Sequence, residues 1–195
     1  MKSPFVPAAI ALLYGLLPRF GLAQATVSTL AGSGTVGLTD GPGPTAQFNY
    51  PYGVTQDALG NTYVADAFNH AIRKISPAGV VTTLAGTGSY GYGNSPVGTA
   101  AAFNDPEKVV SDPAGNLYVA DTGNGSIRRV FLNGAVTTYA GTGQQGYVDG
   151  PAATDRFFGP TGLALDPGTS NLYVAEGYNF RIRRVDATGM IASMM

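Results

Sequence analysis

The sequence predicts an all-β fold built from about three copies of one four-stranded unit, and three observations predict it. Val27-Ser-Thr-Leu-Ala-Gly32 returns as Val81-Thr-Thr-Leu-Ala-Gly86 and again as Val136-Thr-Thr-Tyr-Ala-Gly141, a period of about 55 residues. Each period contains short β-type runs, and no window has helical spacing. The 28 glycines and 13 prolines fit many short strands joined by tight turns. A fixed period of this size indicates a stack of like units.

Residues 1–25 have the pattern of a secretory signal peptide. Lys2 supplies a positive charge, residues 8–17 form an apolar run, and Ala23-Gln-Ala25 fits a small-x-small cleavage site. The run is shorter than the roughly 20 apolar residues that span a bilayer, and an uncleaved anchor is the alternative. We therefore expect cleavage after Ala25, no membrane span after cleavage, and a secreted or periplasmic protein.

Charge and cysteine content limit the classes of partner. Cleavage would remove Lys2 and Arg19, which leaves nine basic and twelve acidic residues and a net charge of −3. Nucleic-acid binding rests on clustered positive charge, so we expect no nucleic-acid partner. The chain has no cysteine, which excludes disulfides and thiol catalysis. A chain of this length can bury a core without such cross-links.

The second unit shows the four predicted strands in order. Strands a, b, c and d are predicted at residues 108–112, 117–121, 126–130 and 135–139. Asn133-Gly134 is a strong hairpin signal between strands c and d. A Gly-rich stretch, residues 141–159, then leads to the next strand a. Four antiparallel strands followed by a longer crossing are typical of a β-propeller blade.

Three recurring segments resemble the NHL repeat of NHL-type propellers. They are Pro51-Tyr-Gly-Val54, Asn61-Thr-Tyr-Val-Ala-Asp66 and Asn69-His-Ala-Ile-Arg-Lys-Ile75. The resemblance covers nearly all of residues 26–195, with repeats at about 27–80, 81–135 and 136–190 and a truncated strand at 191–195. The family's Arg before the Ile appears only as Arg181, and Pro106-Glu-Lys108 departs from the Pro-x-Gly opening of strand a.

The number of blades leaves three interpretations open. Residues 27–31 form an unpaired strand d in this scheme, and three a-b-c sets follow it. Propellers close with four to eight blades, and the resemblance implies a ring of six. The chain is then a truncated copy of a longer protein, a fan that dimerises into a six-blade ring, or a stable open fan.

Successive strands of a blade run in opposite directions. The b–c turns and the d–a loops are therefore expected on the same face of the propeller. Loops on a rigid scaffold commonly carry binding sites, so we expect a ligand site there. Tyr90, Tyr92 and Tyr147 lie in the d–a loops and are candidate ligand-binding residues, with loop packing as the alternative. Glu107 and Lys108 begin a strand that the propeller places at the axial channel, so they are further candidates.

The acidic ends of strand b have two interpretations. Asp66, Asp121 and Glu176 each precede an Asn by three residues, a pattern typical of turns. We expect no cofactor; a carboxylate ring that binds Ca²⁺ is the weaker alternative, because calcium needs six to eight converging oxygens.

The basic residues of strand c repeat with the blade. The pairs are Arg73-Lys74, Arg128-Arg129 and Arg183-Arg184. We expect interblade ion pairs and side-chain stems lying on apolar surface rather than RNA binding. His70, the single histidine, is expected to be structural in its b–c turn.

Three functions remain open at the level of sequence. The first is a secreted, non-catalytic binding or scaffold module that engages a protein or glycan through the loop face. The second is a metal-dependent lyase or lactonase-like hydrolase with a site in the axial channel, implied by related propellers. The third is a fragment of a larger receptor or enzyme.

Overall fold

A computed structural model describes residues 25–193 as three antiparallel β-sheets that follow one another along the chain. Apart from Ala25, the predicted signal peptide lies outside the described residues. The all-β fold class and the four-stranded unit are confirmed. The part of the chain that is described contains no helix long and apolar enough to cross a membrane.

Blade 1 is a five-stranded sheet. Its strands are β1 (Gly41–Pro42), β2 (Pro51–Gln56), β3 (Thr62–Asp66), β4 (Ala71–Ile75) and β5 (Val80–Ala85). The strand order is β1-β5-β4-β3-β2, so β2 to β5 are the predicted strands a to d. The short β1 belongs to the loop before strand a and pairs with the outer strand β5.

Blades 2 and 3 repeat strands a to d, and blade 3 also has a short fifth strand like that of blade 1. Blade 2 consists of β6 (Pro106–Ser111), β7 (Leu117–Asp121), β8 (Ser126–Val130) and β9 (Val136–Ala140). Blade 3 consists of β10 (Gly150–Pro151), β11 (Pro160–Leu165), β12 (Leu172–Glu176), β13 (Arg181–Val185) and β14 (Met190–Ser193). Predicted strands b and c of blade 2 have the observed bounds. Strand a begins two residues earlier and ends one residue earlier than predicted, and strand d begins and ends one residue later.

The a–b turns are fixed by side-chain hydrogen bonds. In blade 2, the backbone N–H and the amide group of Asn116 both donate to the carboxylate of Asp112, each at 2.8 Å. Asp57 and Asn61 make the same pair of bonds in blade 1. These local bonds define the turn and set the register of strands a and b.

The core lies between successive blades. We call the side of a blade that faces the next blade along the chain its forward face, and the opposite side its backward face. Tyr63, Ala65 and Ile72 on the forward face of blade 1 form one buried cluster with Val109 and Val119 on the backward face of blade 2. Blades 2 and 3 form a second cluster built in the same way.

The innermost strands approach each other closely. A Cβ atom at Gly53 in β2 would lie 2.6 Å from the carbonyl oxygen of Glu107 and 2.8 Å from Cα of Lys108, both in β6. Glycine therefore allows the backbones of two neighbouring inner strands to touch.

Residues 27–31 differ from the prediction. They have the sequence of a strand d, yet they form no strand, and Val27 is 99% exposed. A strand needs a paired neighbour for its backbone groups. The outer edge of blade 1 is already taken by β5 and β1, so this segment has no edge of its own blade to join.

Candidate functional site

The b–c turns and the d–a loops meet on one face, here called the loop face, as strand alternation predicts. It comprises residues 66–71, 121–126 and 176–181 from the turns, and residues 32–50, 86–105 and 141–159 from the loops. The backbone N–H of Asp105 donates to Nδ1 of His70 at 3.1 Å. The ring of Tyr90 lies edge-on to His70, with the centroids 6.2 Å apart. This contact joins the turn of blade 1 to the loop that leads into blade 2.

Two positions of each blade have left-handed backbone on the loop face. Their φ angles lie between 48° and 62° at His70, Gly125 and Phe180 after the b–c turn, and at Tyr50, Asp105 and Gly159 before strand a. Four of these six residues are not glycine. Left-handed φ is unfavourable for a residue with a Cβ atom, so the surrounding fold must hold these four side chains in place.

Each blade buries an arginine–carboxylate pair beneath the loop face. In blade 2, Nη1 of Arg128 lies 2.8 Å from Oδ2 of Asp121, and neither side chain is exposed. Arg128 also donates to the carbonyl oxygens of Ala102 at 3.0 Å and Gly93 at 2.7 Å. The equivalent pairs are Arg73–Asp66 at 2.8 Å and Arg183–Glu176 at 3.0 Å.

The prediction of interblade ion pairs is therefore wrong for the first basic residue of each pair. Arg73, Arg128 and Arg183 pair with the acidic residue of their own blade. The acid ends strand b and the arginine lies on the neighbouring strand c of the same sheet, which brings them together. In each repeat the sequence shows an acidic residue and an arginine at a fixed spacing. The repeat period alone does not identify which acidic residue pairs with which arginine.

The structure does not bring the three weak metal candidates together. Asp66, Asp121 and Glu176 belong to three different sheets, and each is held by the arginine of its own blade. Within residues 25–193, no group of three His, Asp or Glu side chains is arranged to hold a metal ion.

Two of the three candidate tyrosines cover buried arginines. Cζ of Arg128 lies 5.0 Å from the ring centroid of Tyr92, and Cζ of Arg183 lies 4.8 Å from that of Tyr147. The hydroxyl of Tyr147 also lies 2.8 Å from Oγ of Ser193. These contacts give both rings a packing role, and their ligand-binding role stays a prediction. Tyr90 is 78% exposed and free to contact a ligand.

Glu107 and Lys108 begin β6, the innermost strand of blade 2, as predicted. Both are partly buried. Burial raises the pKa of the Glu107 carboxyl, and the negative charge of Asp105 raises it further. Glu107 therefore adds a second carboxyl close to Asp105, beside the His70 contact.

Sequence reasoning missed two exposed aromatic residues of the b–c turns. Phe68 is 50% exposed and packs against Tyr50, with ring centroids 4.5 Å apart. Tyr178 is 64% exposed and packs against Phe158 at 4.9 Å. The two occupy the same repeat position, where blade 2 has Gly123. This recurrence of an aromatic residue was the signal available in the sequence.

Asp155 is a buried carboxyl peculiar to blade 3. It occupies the place of Ala46 and Ala101, is fully buried, and accepts the N–H of Gly141 at 2.9 Å. In the described part of the chain, no cation lies within ion-pair distance of it. Burial raises its pKa to about 6, against opposing contributions from the Gly141 hydrogen bond and the charge of Arg183.

Asp155→Asn is expected to stabilise the protein at neutral pH by about 1–2 kcal/mol, because it removes an unpaired buried charge and keeps an acceptor for Gly141. A carboxyl with a raised pKa binds its proton more tightly in the folded state. The contribution of Asp155 to folding stability is therefore fully present below pH 4 and is lost as the pH rises through about 6. Urea unfolding across this range should show the variant gaining stability relative to the parent as the pH rises, because the other carboxyls are common to both proteins. Parallel pH curves would contradict the assignment.

Comparison with known proteins indicates the family of this chain. The NHL repeat family profile matches residues 103–130. The chain is 34% identical over 164 residues to Protein SUPPRESSOR OF QUENCHING 1, chloroplastic, of Arabidopsis thaliana, covering 80% of this chain and 16% of that protein. It is 36% identical over 125 residues to NHL repeat-containing protein 2 of Homo sapiens, covering 62% of this chain and 17% of that protein. The chain thus spans about a sixth of the length of these relatives.

Solved structures share the fold. A streptogramin B lyase matches with a TM-score of 0.52 and 20% identity, covering 74% of this chain and 40% of the lyase. An auxiliary nutrient binding protein from Bacteroides ovatus matches with a TM-score of 0.60 and 24% identity, covering 73% of this chain and 37% of that protein. Likeness at these identities shows a β-propeller fold and no more. Together with the profile match and the curated relatives, it identifies this chain as an NHL-repeat protein.

Proposed function

We propose that the chain is a secreted or periplasmic binding module that engages a protein or glycan through its loop face. The observation that carries the proposal is a set of exposed aromatic side chains on this face: Phe68, Tyr90 and Tyr178, which are 50%, 78% and 64% exposed. Exposed aromatic residues on a rigid scaffold are typical of binding surfaces.

The fold fixes the backbone of the turns that carry Phe68 and Tyr178, so these two residues have less freedom to lose on binding. The N–H of Phe68 donates to the carbonyl oxygen of Asn49 at 3.1 Å, and the turn closes with His70 in left-handed conformation. Asn179 beside Tyr178 donates to Glu176 at 2.6 Å and to the carbonyl oxygen of Gly146 at 3.0 Å. A preorganised aromatic side chain gives contact area at low entropic cost.

Polar groups lie beside the aromatic residues. His70 and Asp105 are in contact next to Tyr90, and Glu107 follows two residues later. Tyr90 itself presents a flat apolar ring and a hydroxyl. This combination suits sugar rings and peptide segments, both of which have apolar surfaces edged by hydrogen-bonding groups.

The triple variant Phe68→Ser, Tyr90→Ser, Tyr178→Ser is expected to bind at least about tenfold more weakly, because each anchor lost from a binding surface costs 1 kcal/mol or more. The probes are an oligosaccharide array and a displayed peptide library, selected first on the unchanged chain. Binding of the selected probes is then measured for both proteins, with circular dichroism to show that the fold persists.

The matched control alters apolar residues away from the loop face. Leu59 in the a–b turn of blade 1 and Leu132 in the c–d turn of blade 2 are 76% and 59% exposed. Leu59→Ser with Leu132→Ser should leave binding unchanged. Failure of both probe sets to yield a ligand, or equal binding by the triple variant, would overturn the proposal.

A further inference from the structure

Four side chains on the loop face distinguish the junction of blades 1 and 2 from the junction of blades 2 and 3. They are here called the polar corner: Tyr90, His70, Asp105 and Glu107. The same backbone bond holds the d–a loop at both junctions. The N–H of Gly91 donates to the carbonyl oxygen of Phe103 at 2.8 Å, and that of Gly146 donates to Phe157 at 3.0 Å. The two junctions therefore share a framework and differ in side chains.

The junction of blades 2 and 3 has small or uncharged residues at the corresponding repeat positions. In the order of the polar corner, they are Gln145, Gly125, Gly159 and Thr161. The amide of Gln145 donates to the carbonyl oxygen of Gly123 at 3.2 Å, so this side chain is bonded to the b–c turn of blade 2. The repeat can thus be built without any member of the polar corner.

Two members of the polar corner occupy backbone positions that favour glycine. The φ angle is 48° at His70 and 49° at Asp105, and it is 55° and 62° at Gly125 and Gly159. Left-handed φ costs free energy in a residue with a Cβ atom, and such residues are concentrated at ligand and active sites. Side chains at positions that glycine fills in the other junction point to a role other than folding.

Contacts fix the arrangement of the histidine and the tyrosine. Nδ1 of His70 accepts the N–H of Asp105 at 3.1 Å and lies 3.5 Å from Oδ1 of the same residue. The neutral ring therefore carries its proton on Nε2, which is left as a donor. The ring of Tyr90 lies at 74° to that of His70, and Tyr90 is 78% exposed. An exposed aromatic ring thus lies beside an oriented hydrogen-bond donor.

The two carboxyls of the polar corner supply acceptors. The side chain of Asp105 is 42% exposed, and Glu107 is partly exposed. Among residues 25–193, no arginine or lysine lies within ion-pair distance of either carboxyl. Their oxygens are therefore available to a ligand. Lys108 follows Glu107 directly, so the charge at this place is mixed.

We propose that the polar corner is a subsite for one neutral sugar ring of a glycan. The apolar face of the sugar stacks on Tyr90. Nε2 of His70 donates to one sugar oxygen, and the carboxyls accept from neighbouring hydroxyls. The inference rests on the proposed function and selects the glycan from the two ligand classes named there.

The mixture of donor and acceptors favours a sugar over a basic side chain of a peptide. Each sugar hydroxyl both donates and accepts, so adjacent hydroxyls can satisfy the imidazole N–H and a carboxylate together. A lysine or arginine side chain only donates. It would pair with Asp105 or Glu107 but would leave Nε2 of His70 without an acceptor.

The test variant combines His70→Gly, Asp105→Gly and Glu107→Thr, which are the residues of the other junction, and it keeps Tyr90. We expect its affinity for neutral oligosaccharides on the array to fall at least about tenfold, or roughly 1.4 kcal/mol, because hydrogen bonds to the sugar are lost. Its thermal midpoint should stay within about 4 °C of the parent, because glycine relieves the left-handed backbone at two positions.

Gln145→Ser is the matched control, because it changes an exposed side chain at the junction without the polar corner. It should leave binding unchanged. Oligosaccharides in which single hydroxyls are replaced by hydrogen give a second readout. At least one replacement should weaken binding to the parent and have little effect on binding to the test variant, because the partner of that hydroxyl is already absent.

The outcomes separate this inference from the proposed function. Undiminished oligosaccharide binding by the test variant would overturn the subsite, while the aromatic triple variant still tests the loop face. Binding of peptides without binding of oligosaccharides would overturn the sugar and leave the proposed function standing. A larger fall in the thermal midpoint would show that the polar corner holds the fold together, and would also overturn the inference.

Discussion

Arg128→Met is expected to lower the free energy of unfolding by about 3–5 kcal/mol, the cost of leaving a buried charge without its partner. Arg128 and Asp121 are both fully buried at 2.8 Å. The substitution leaves Asp121 with the N–H of Asn104 and the amide of Asn124 as its remaining donors. It also removes the donor to the carbonyl oxygen of Gly93, which is costly where water cannot replace it.

Denaturant unfolding followed by circular dichroism measures this loss. Arg129→Met is the matched control, because Arg129 is the next residue of β8 and is partly exposed over Phe131. Its effect should stay within about 1 kcal/mol. Equal losses for the two variants would show that the ion pair is not what holds blade 2 together.

A double variant separates the ion pair from simple packing. Asp121→Asn removes the charge that Arg128→Met leaves unpaired and keeps an oxygen acceptor. The combined loss should be smaller than the sum of the single losses by at least about 1 kcal/mol. Strict additivity would mean that the two residues act independently, contrary to their contact.

Gly53→Val is expected to cost about 3 kcal/mol or more, the second large effect. The new Cβ would lie 2.6 Å from the carbonyl oxygen of Glu107 and 2.8 Å from Cα of Lys108. These are backbone atoms of β6, so no side-chain rotation can relieve the overlap. The inner strands of blades 1 and 2 must separate, which opens the apolar cluster between them.

Gly162 supplies the control for this prediction. It has the same repeat position in blade 3, but a Cβ atom there would meet only Ala175, whose Cβ is 3.0 Å away. Gly162→Ala should therefore change stability by about 1 kcal/mol or less, against a larger loss for Gly53→Ala. Thermal unfolding of Gly53→Ala and Gly162→Ala measures the two losses of stability. Equal losses would show that glycine is needed by each strand itself and not by the approach of neighbouring strands.

These two predictions concern the framework beneath the loop face. The buried arginines tie strands b and c of a blade to the loop that precedes it, and Gly53 sets the spacing between two blades. A loop-face ligand site depends on both, because Phe68, Tyr90 and Tyr178 belong to turns and loops of different blades.

The sequence by itself determined the fold class, the period and the bounds of two of the four strands of blade 2. Strands b and c of blade 2 were predicted at their observed bounds because alternation and turn residues are local signals. The face shared by the b–c turns and the d–a loops followed from alternation of strand direction. His70 was correctly placed in a b–c turn, since the repeat assigns it there.

Only the tertiary structure decided which repeated residues meet. Asp121 and Arg128 are seven residues apart, and the sequence alone favoured a partner in another blade. Residues 27–31 have the same strand signature as 81–85, yet they form no strand, because pairing depends on a free edge. Ile182 and Ile127 are identical by pattern, but one is exposed and the other buried. Period and propensity are local properties, whereas ion pairing, strand pairing and burial require a neighbour in space.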